Sequence, residues 1–149
     1  MLGYMHNESM NVFSHLGPAV YFMVHMVLAL SGLGDYSVFQ NWQSKLFMAF
    51  AALACSFDMW TSVAYHLFNT MGVKQGETLL KYDLSGIVAV MLSTFVVLAF
   101  NLFADWKDER MVILGVLTPL LLANFWVILH PSCAKDSMHC YKVIVIAVT

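Results

Sequence analysis

Long apolar stretches alternate with short polar segments along the chain, and four of these stretches are long enough to cross a bilayer. A hydrocarbon core of roughly 30 Å needs about 20 mostly apolar residues in a helix. The pattern predicts membrane-spanning helices at residues 11–30, 45–68, 79–103 and 111–129. The segments between them are rich in glycine, polar or charged residues, which is typical of turns between helices.

A fifth apolar run occupies residues 143–149 and ends at Thr149. It is too short to span a membrane. We interpret it as the start of another helix, and residues 1–149 as a single, incomplete transmembrane domain. A short hydrophobic tail is the alternative interpretation.

The composition agrees with a membrane location, because 60% of the residues are hydrophobic and only 11% are charged. Soluble domains carry about 25% charged residues. The predicted fold class is therefore an all-α, multi-pass transmembrane bundle. The net charge of -2 and the lack of a basic run argue against a nucleic-acid partner. Membrane lipids are the expected neighbours.

The distribution of Lys and Arg gives only a weak prediction of orientation. With the N-terminus in the cytoplasm, four of the seven basic residues lie on the cytoplasmic side, which the positive-inside rule favours by one charge. Helix length does not identify the organelle, so the plasma membrane, the Golgi and the endoplasmic reticulum all stay open.

Ionisable side chains within the predicted spans are the candidate functional residues, because they are costly to bury in lipid. These residues, with one serine beside them, are His15, His25, Asp58, Ser62, His66 and Asp83. Alternating helix direction places His15, His66 and Asp83 within about two turns of one membrane face. His25 and Asp58 lie roughly 12–15 Å deeper at the helical rise of 1.5 Å per residue. The sequence thus predicts two polar layers, with His25 and Asp58 as a structural pair.

Asp58, Ser62 and His66 recur at every fourth residue of the second helix and so share a face. Histidine is a common zinc ligand, and a carboxylate binds the metal or orients its water. One hypothesis makes His66 a metal ligand, with Asp83 as a direct ligand or a neighbour. Spacing alone favours the alternative, in which these side chains hydrogen-bond between helices. His15 is a further candidate ligand, although a hydrogen bond near its helix end is favoured.

Three motifs give the chain a resemblance to a known family. The segment HNESMNVFSHLGP at residues 6–18 resembles the sequence H-N-E-T-x-N-I-W-T-H-L-x-G that opens the first helix of the progestin and adipoQ receptor family. That family includes the adiponectin receptors and the hemolysin III-like proteins. The matching residues are His6, Asn7, Glu8, Asn11, His15 and Leu16, and Gly17 lies one position before the glycine of the pattern.

The other two motifs follow in the same order as in the family. TSVAYHLF at residues 61–68 resembles its serine-x-x-x-histidine motif at the end of helix 2, which aligns Ser62 and His66. KYDLSGI at residues 81–87 resembles the opening of its third helix and aligns Asp83, Ser85 and Gly86. The resemblance covers nearly the whole chain and is weaker after Phe103.

The resemblance implies a seven-helix fold with a cytoplasmic N-terminus and a zinc ion (Zn2+) near the cytoplasmic face. It implies that His66 is one of three histidine ligands, that Asp83 holds a zinc-bound water, and that Ser62 supports the site. The family's other two zinc histidines belong to the seventh helix, which is not within these residues. Asp58 and Leu84 also depart from the family pattern, which leaves the subfamily and its ligand unassigned.

Three functions follow from these expectations. The first is a membrane signalling receptor with a zinc site and ceramide-like lipid-amide hydrolase activity, in which Asp83 and Ser62 serve the chemistry. The second is a non-catalytic receptor or adaptor with a structural metal, and its ligand is a lipid, a steroid or an adiponectin-like protein. The third is an inactive, truncated fragment.

Overall fold

The computed structural model describes residues 7–38 and 41–130, and every regular element in this part of the chain is helical. Four long helices follow one another: α1 at Asn7–Ser31, α2 at Trp42–Phe68, α3 at Val73–Leu102 and α4 at Lys107–Leu129. Each is long and apolar enough to cross a membrane. The predicted all-α membrane fold class is confirmed. The predicted start of a fifth helix at residues 143–149 lies outside the described residues.

Each helix begins earlier than the apolar run that predicts it. The added first turns are polar or charged, as Glu8 in α1 and Lys107 in α4 illustrate. A helix continues through the membrane interface as long as its backbone hydrogen bonds can be made, whereas the apolar run ends where the hydrocarbon ends. The predicted loop after α2 is accordingly short: it contains the 3-10 turn Asn69–Met71, and α3 starts two residues later.

Glycine and asparagine fix the turn between the first two helices. Gly32 adopts a left-handed conformation with φ of 67° directly after α1, and its backbone N–H donates to the Leu28 carbonyl at 2.9 Å. This is how glycine ends many helices. The Asn41 side chain then accepts a hydrogen bond from the Ser44 N–H at 2.8 Å and so caps the start of α2.

The helices pack mainly on their neighbours in sequence, in the order α1, α2, α3 and α4. Small residues line the first interface. Ala19 and Ala29 of α1 are completely buried, and the buried Ser56 of α2 donates a hydrogen bond to the Ala19 carbonyl at 3.0 Å. Small side chains let membrane helices approach closely enough for van der Waals packing and interhelical hydrogen bonds.

Larger apolar residues fill the interface of α3 with α4. Leu84, Val88 and Ile128 form its buried centre, with Leu80 and Phe125 packed against them. Many large apolar side chains on the outer helix faces are exposed. A membrane-spanning bundle presents such faces to lipid. The short turns between the helices lie at its two ends and carry polar residues there.

Candidate functional site

Polar side chains from three helices meet at the end of the bundle where α1 starts, α2 ends and α3 begins. We call this group the polar cluster. Its members are Glu8, Asn11 and His15 of α1, Ser62 and His66 of α2, and Asp83 of α3. The short connection between α2 and α3 brings their facing ends together, and the packing of α1 on α2 supplies the third side.

His66 lies in the last turn of α2, and its side chain is 19% exposed. Its Nδ1 lies 2.6 Å from Oε2 of Glu8 and 3.4 Å from the Asn11 side-chain amide. The hydrogen bonds of His66 among the described residues therefore use one ring nitrogen, Nδ1. The second ring nitrogen, Nε2, can therefore bind another partner.

His15 is held in a similar way on the neighbouring helix. Its Nδ1 lies 2.7 Å from the Asn11 carbonyl oxygen and 3.1 Å from the Ser14 hydroxyl. The His15 and His66 rings are close, with 5.9 Å between their centroids. Two imidazoles from different helices are thus side by side in the polar cluster.

Asp83 faces α2 from the third helix. Its carboxyl lies near the Ser62 hydroxyl and interacts electrostatically with His66 and His15. Ser62 itself is only 6% exposed. The structure therefore places Ser62, His66 and Asp83 in one neighbourhood, with His15 completing it from α1.

Asp58 lies one turn before Ser62 on α2 and adjoins this group. Its carboxyl interacts electrostatically with Asp83 and His15. Gly86 makes this closeness feasible, because a Cβ atom at that position would lie 2.7 Å from the Asp58 Cα atom. Helices α2 and α3 thus approach closely beside the ionisable residues.

The predicted pairing of His25 with Asp58 is wrong. His25 Nδ1 is 2.8 Å from the Tyr36 hydroxyl, and its ring lies 4.1 Å from that of Tyr21. The reason is the register of α1 on α2: since Ser56 bonds to Ala19, the level of Asp58 falls well before His25. His25 and Asp58 therefore do not form the predicted pair.

Sequence reasoning missed Glu8 and Asn11 as members of the cluster. Both belong to the first motif, but their contacts with His66 join residues far apart in the chain. The available signal was the combination of a carboxylate in the first turn of one helix with a histidine in the last turn of its antiparallel neighbour.

The cluster contains one side chain that is well placed to bind a metal ion. His66 offers Nε2, and its Nδ1 faces a carboxylate, which is the usual setting of a metal-binding histidine. Within residues 7–38 and 41–130, however, no three His, Cys, Asp or Glu side chains are grouped closely enough to hold a metal ion. These residues fit part of a coordination sphere and do not complete one.

Apolar helices that enclose ionisable side chains define the class of this molecule as a multi-pass integral membrane protein. The chain belongs to the haemolysin-III related family, whose family model matches residues 3–149. The match confirms the family resemblance that the three motifs predict. No curated protein and no solved structure matches the chain.

Proposed function

We propose that this protein is a membrane signalling receptor of the adiponectin and progestin receptor type, with a zinc site at the polar cluster. The observation that carries the proposal is the convergence of His66, Asp83 and His15 from three helices at one end of the bundle. Ionisable groups are costly inside a membrane, and such groups mark functional sites.

Within this proposal His66 binds zinc through Nε2, since its Nδ1 faces Glu8. Asp83 either binds the ion directly or holds its water, and Ser62 keeps the Asp83 carboxyl in place. A bound zinc ion supplies Lewis acidity and lowers the pKa of a coordinated water to about 7. The remaining ligands come from outside the described residues.

The ligand class that this setting favours is lipid. The cluster lies between helices whose outer faces are apolar, so a lipid can approach it sideways from the bilayer with its polar group first. A steroid or an adiponectin-like protein are the other ligand classes. We place the cluster at the cytoplasmic face, in agreement with an N-terminus in the cytoplasm.

Lipid-amide hydrolysis is the second candidate function, and the position of Asp83 beside Ser62 and His66 favours it. A carboxylate held in this way can accept the proton of a water that attacks an amide carbonyl. The substrate class is a ceramide-like lipid amide. Without turnover, the same cluster serves a non-catalytic receptor or adaptor whose metal only stabilises the packing.

The experiment is metal analysis of the protein expressed from its natural reading frame and purified in detergent. We expect bound zinc in the wild type and a loss of most of it in His66→Ala. The control is His25→Ala, which removes a histidine outside the cluster and is expected to keep the metal. A wild type without zinc, or equal zinc in all three proteins, would refute the zinc site.

A second assay separates the receptor from the enzyme. Ceramide hydrolysis and ligand-dependent signalling are measured for the wild type and Asp83→Asn. An enzyme loses hydrolysis in Asp83→Asn. Equal signalling without hydrolysis in either protein would rule out the hydrolase and leave the non-catalytic receptor.

A further inference from the structure

The hydrogen bonds of His66 point to a role for Glu8 that the family motif alone does not assign. We propose that Glu8 is a positioning residue, which holds His66 as the tautomer protonated at Nδ1 and thereby presents Nε2 to a ligand. The identity of that ligand as zinc rests on the proposed function, whereas the tautomer does not.

The proton assignment follows from which partner can donate. An ionised carboxylate only accepts hydrogen bonds, so the 2.6 Å contact between Glu8 Oε2 and Nδ1 requires the proton on the ring nitrogen. Charge-assisted hydrogen bonds from a nitrogen donor to a carboxylate are typically about 2.7–2.9 Å long, so this contact is at least as short as such bonds usually are. A neutral imidazole with its proton on Nδ1 has its lone pair on Nε2.

Asn11 does not compete with this assignment. Its amide lies at 3.4 Å, considerably farther from Nδ1 than the Glu8 carboxylate. The nitrogen and oxygen of an asparagine amide are assigned from the hydrogen-bond network, and a flipped amide would place a second acceptor there. The shorter bond to the acceptor-only group decides the tautomer.

The local fold places the Glu8 side chain where it can act as a hydrogen-bond acceptor. The residue lies in the first turn of α1, where the unpaired backbone N–H groups and the helix dipole stabilise negative charge. Its side chain is 36% exposed, so water also solvates the carboxylate. Because α1 runs against α2, this first turn lies beside the last turn of α2, where His66 is located.

His15 supplies an internal reference for the inference. Its Nδ1 faces the backbone carbonyl of Asn11 at 2.7 Å, and a backbone carbonyl only accepts. We therefore expect His15 to be protonated at Nδ1 as well. Unlike that of His66, its tautomer does not depend on Glu8.

The test is 15N NMR of histidine-labelled, metal-free protein in lipid nanodiscs, which distinguishes protonated from unprotonated ring nitrogens. The resonances are assigned with His66→Ala and His15→Ala. We expect His66 to be protonated at Nδ1 in the wild type and to shift toward the Nε2-protonated form in Glu8→Gln. His15 keeps its tautomer in both proteins. The matched control, Glu77→Gln, alters an exposed glutamate of α3 and leaves His66 unchanged.

A wild-type His66 protonated at Nε2, or the same tautomer in wild type and Glu8→Gln, would overturn the inference. Zinc titration of the same proteins then tests the consequence: the affinity of Glu8→Gln is expected to fall about 10- to 100-fold, as for other carboxylate partners of metal-binding histidines. Failure of the wild type to bind zinc would refute the proposed function and leave the tautomer result intact.

Discussion

Single small residues decide how closely the helices of this protein approach. Gly86 of α3 faces α2 so tightly that a Cβ atom there would lie 2.7 Å from both Cα and Oδ1 of Asp58 and 2.9 Å from the Thr61 hydroxyl. Backbone atoms cannot move aside as a flexible side chain can. Since Asp83 lies one turn earlier on the same helix, this contact also sets the distance between Asp83 and the residues of α2.

Gly86→Ala is therefore expected to destabilise the protein. The added methyl group forces α2 and α3 apart, and overpacking of this kind costs about 1–3 kcal/mol. The measurement is the thermal unfolding midpoint in detergent, which should fall.

Gly17→Ala provides the matched control, because Gly17 also lies inside a helix but a Cβ atom there meets nothing within 4 Å. Its unfolding midpoint should stay the same or rise, since alanine is the better helix former. A Gly86→Ala protein as stable as Gly17→Ala would contradict the close contact.

The helices themselves could be predicted from the sequence because lipid imposes one simple requirement. About 20 apolar residues in a row leave a helix as the only way to satisfy every backbone group inside the bilayer. The starts of α1 and α3 are harder to predict from the sequence, since Glu8 and Lys74 are polar yet helical. Hydropathy records where the hydrocarbon ends and not where the backbone hydrogen bonds end.

The sequence predicts a turn after α1 but not its structure, because that structure includes a contact back to the helix. The Tyr36 hydroxyl in the 3-10 helix Gly34–Val38 meets His25 at 2.8 Å. No sequence pattern around His25 or Tyr36 predicts that their side chains are in contact. The contact ties this turn to the end of α1, while the register of α1 on α2 keeps His25 away from Asp58.

Tyr36→Phe should loosen this turn without disturbing the helices. Loss of one hydrogen bond costs about 0.5–1.5 kcal/mol, so amide hydrogen exchange in Gly34–Val38 is expected to become about 2- to 10-fold faster. Tyr82→Phe is the control, because Tyr82 is 50% exposed on α3. Unchanged exchange in Tyr36→Phe would show that the hydroxyl does not hold the turn.

At the scale of the whole molecule, the alternating direction of the helices assembles the candidate site. The alternation alone predicts His66 and Asp83 at one end of the bundle, and the structure brings them together with Ser62 and His15. The sequence could not reveal which side chains touch, since that depends on helix rotation and register. The contact of Glu8 with His66 depends on the position of the first turn of α1 beside the last turn of α2.

The order of the helices also predicts which turns lie on the same side of the membrane. The turn after α1 and the turn between α3 and α4 lie at one end of the bundle, and the turn between α2 and α3 lies at the other. Single cysteines at Ser37, Asp105 and Gln75 sample these three exposed positions. They are introduced into a variant whose native cysteines are replaced by alanine, and intact cells are treated with a membrane-impermeant maleimide.

If the protein is at the plasma membrane with its N-terminus in the cytoplasm, Ser37→Cys and Asp105→Cys react in intact cells, whereas Gln75→Cys reacts only after permeabilisation. For a protein in the Golgi or the endoplasmic reticulum, the same comparison is made on sealed vesicles, in which the two lumenal cysteines react only after permeabilisation. The reverse pattern, with Gln75→Cys alone reactive, would refute the orientation while supporting the topology. Opposite behaviour of Ser37→Cys and Asp105→Cys would contradict the fold, because α2 and α3 together must return the chain to the side from which it came. The topology and the orientation are therefore tested separately by the same three variants.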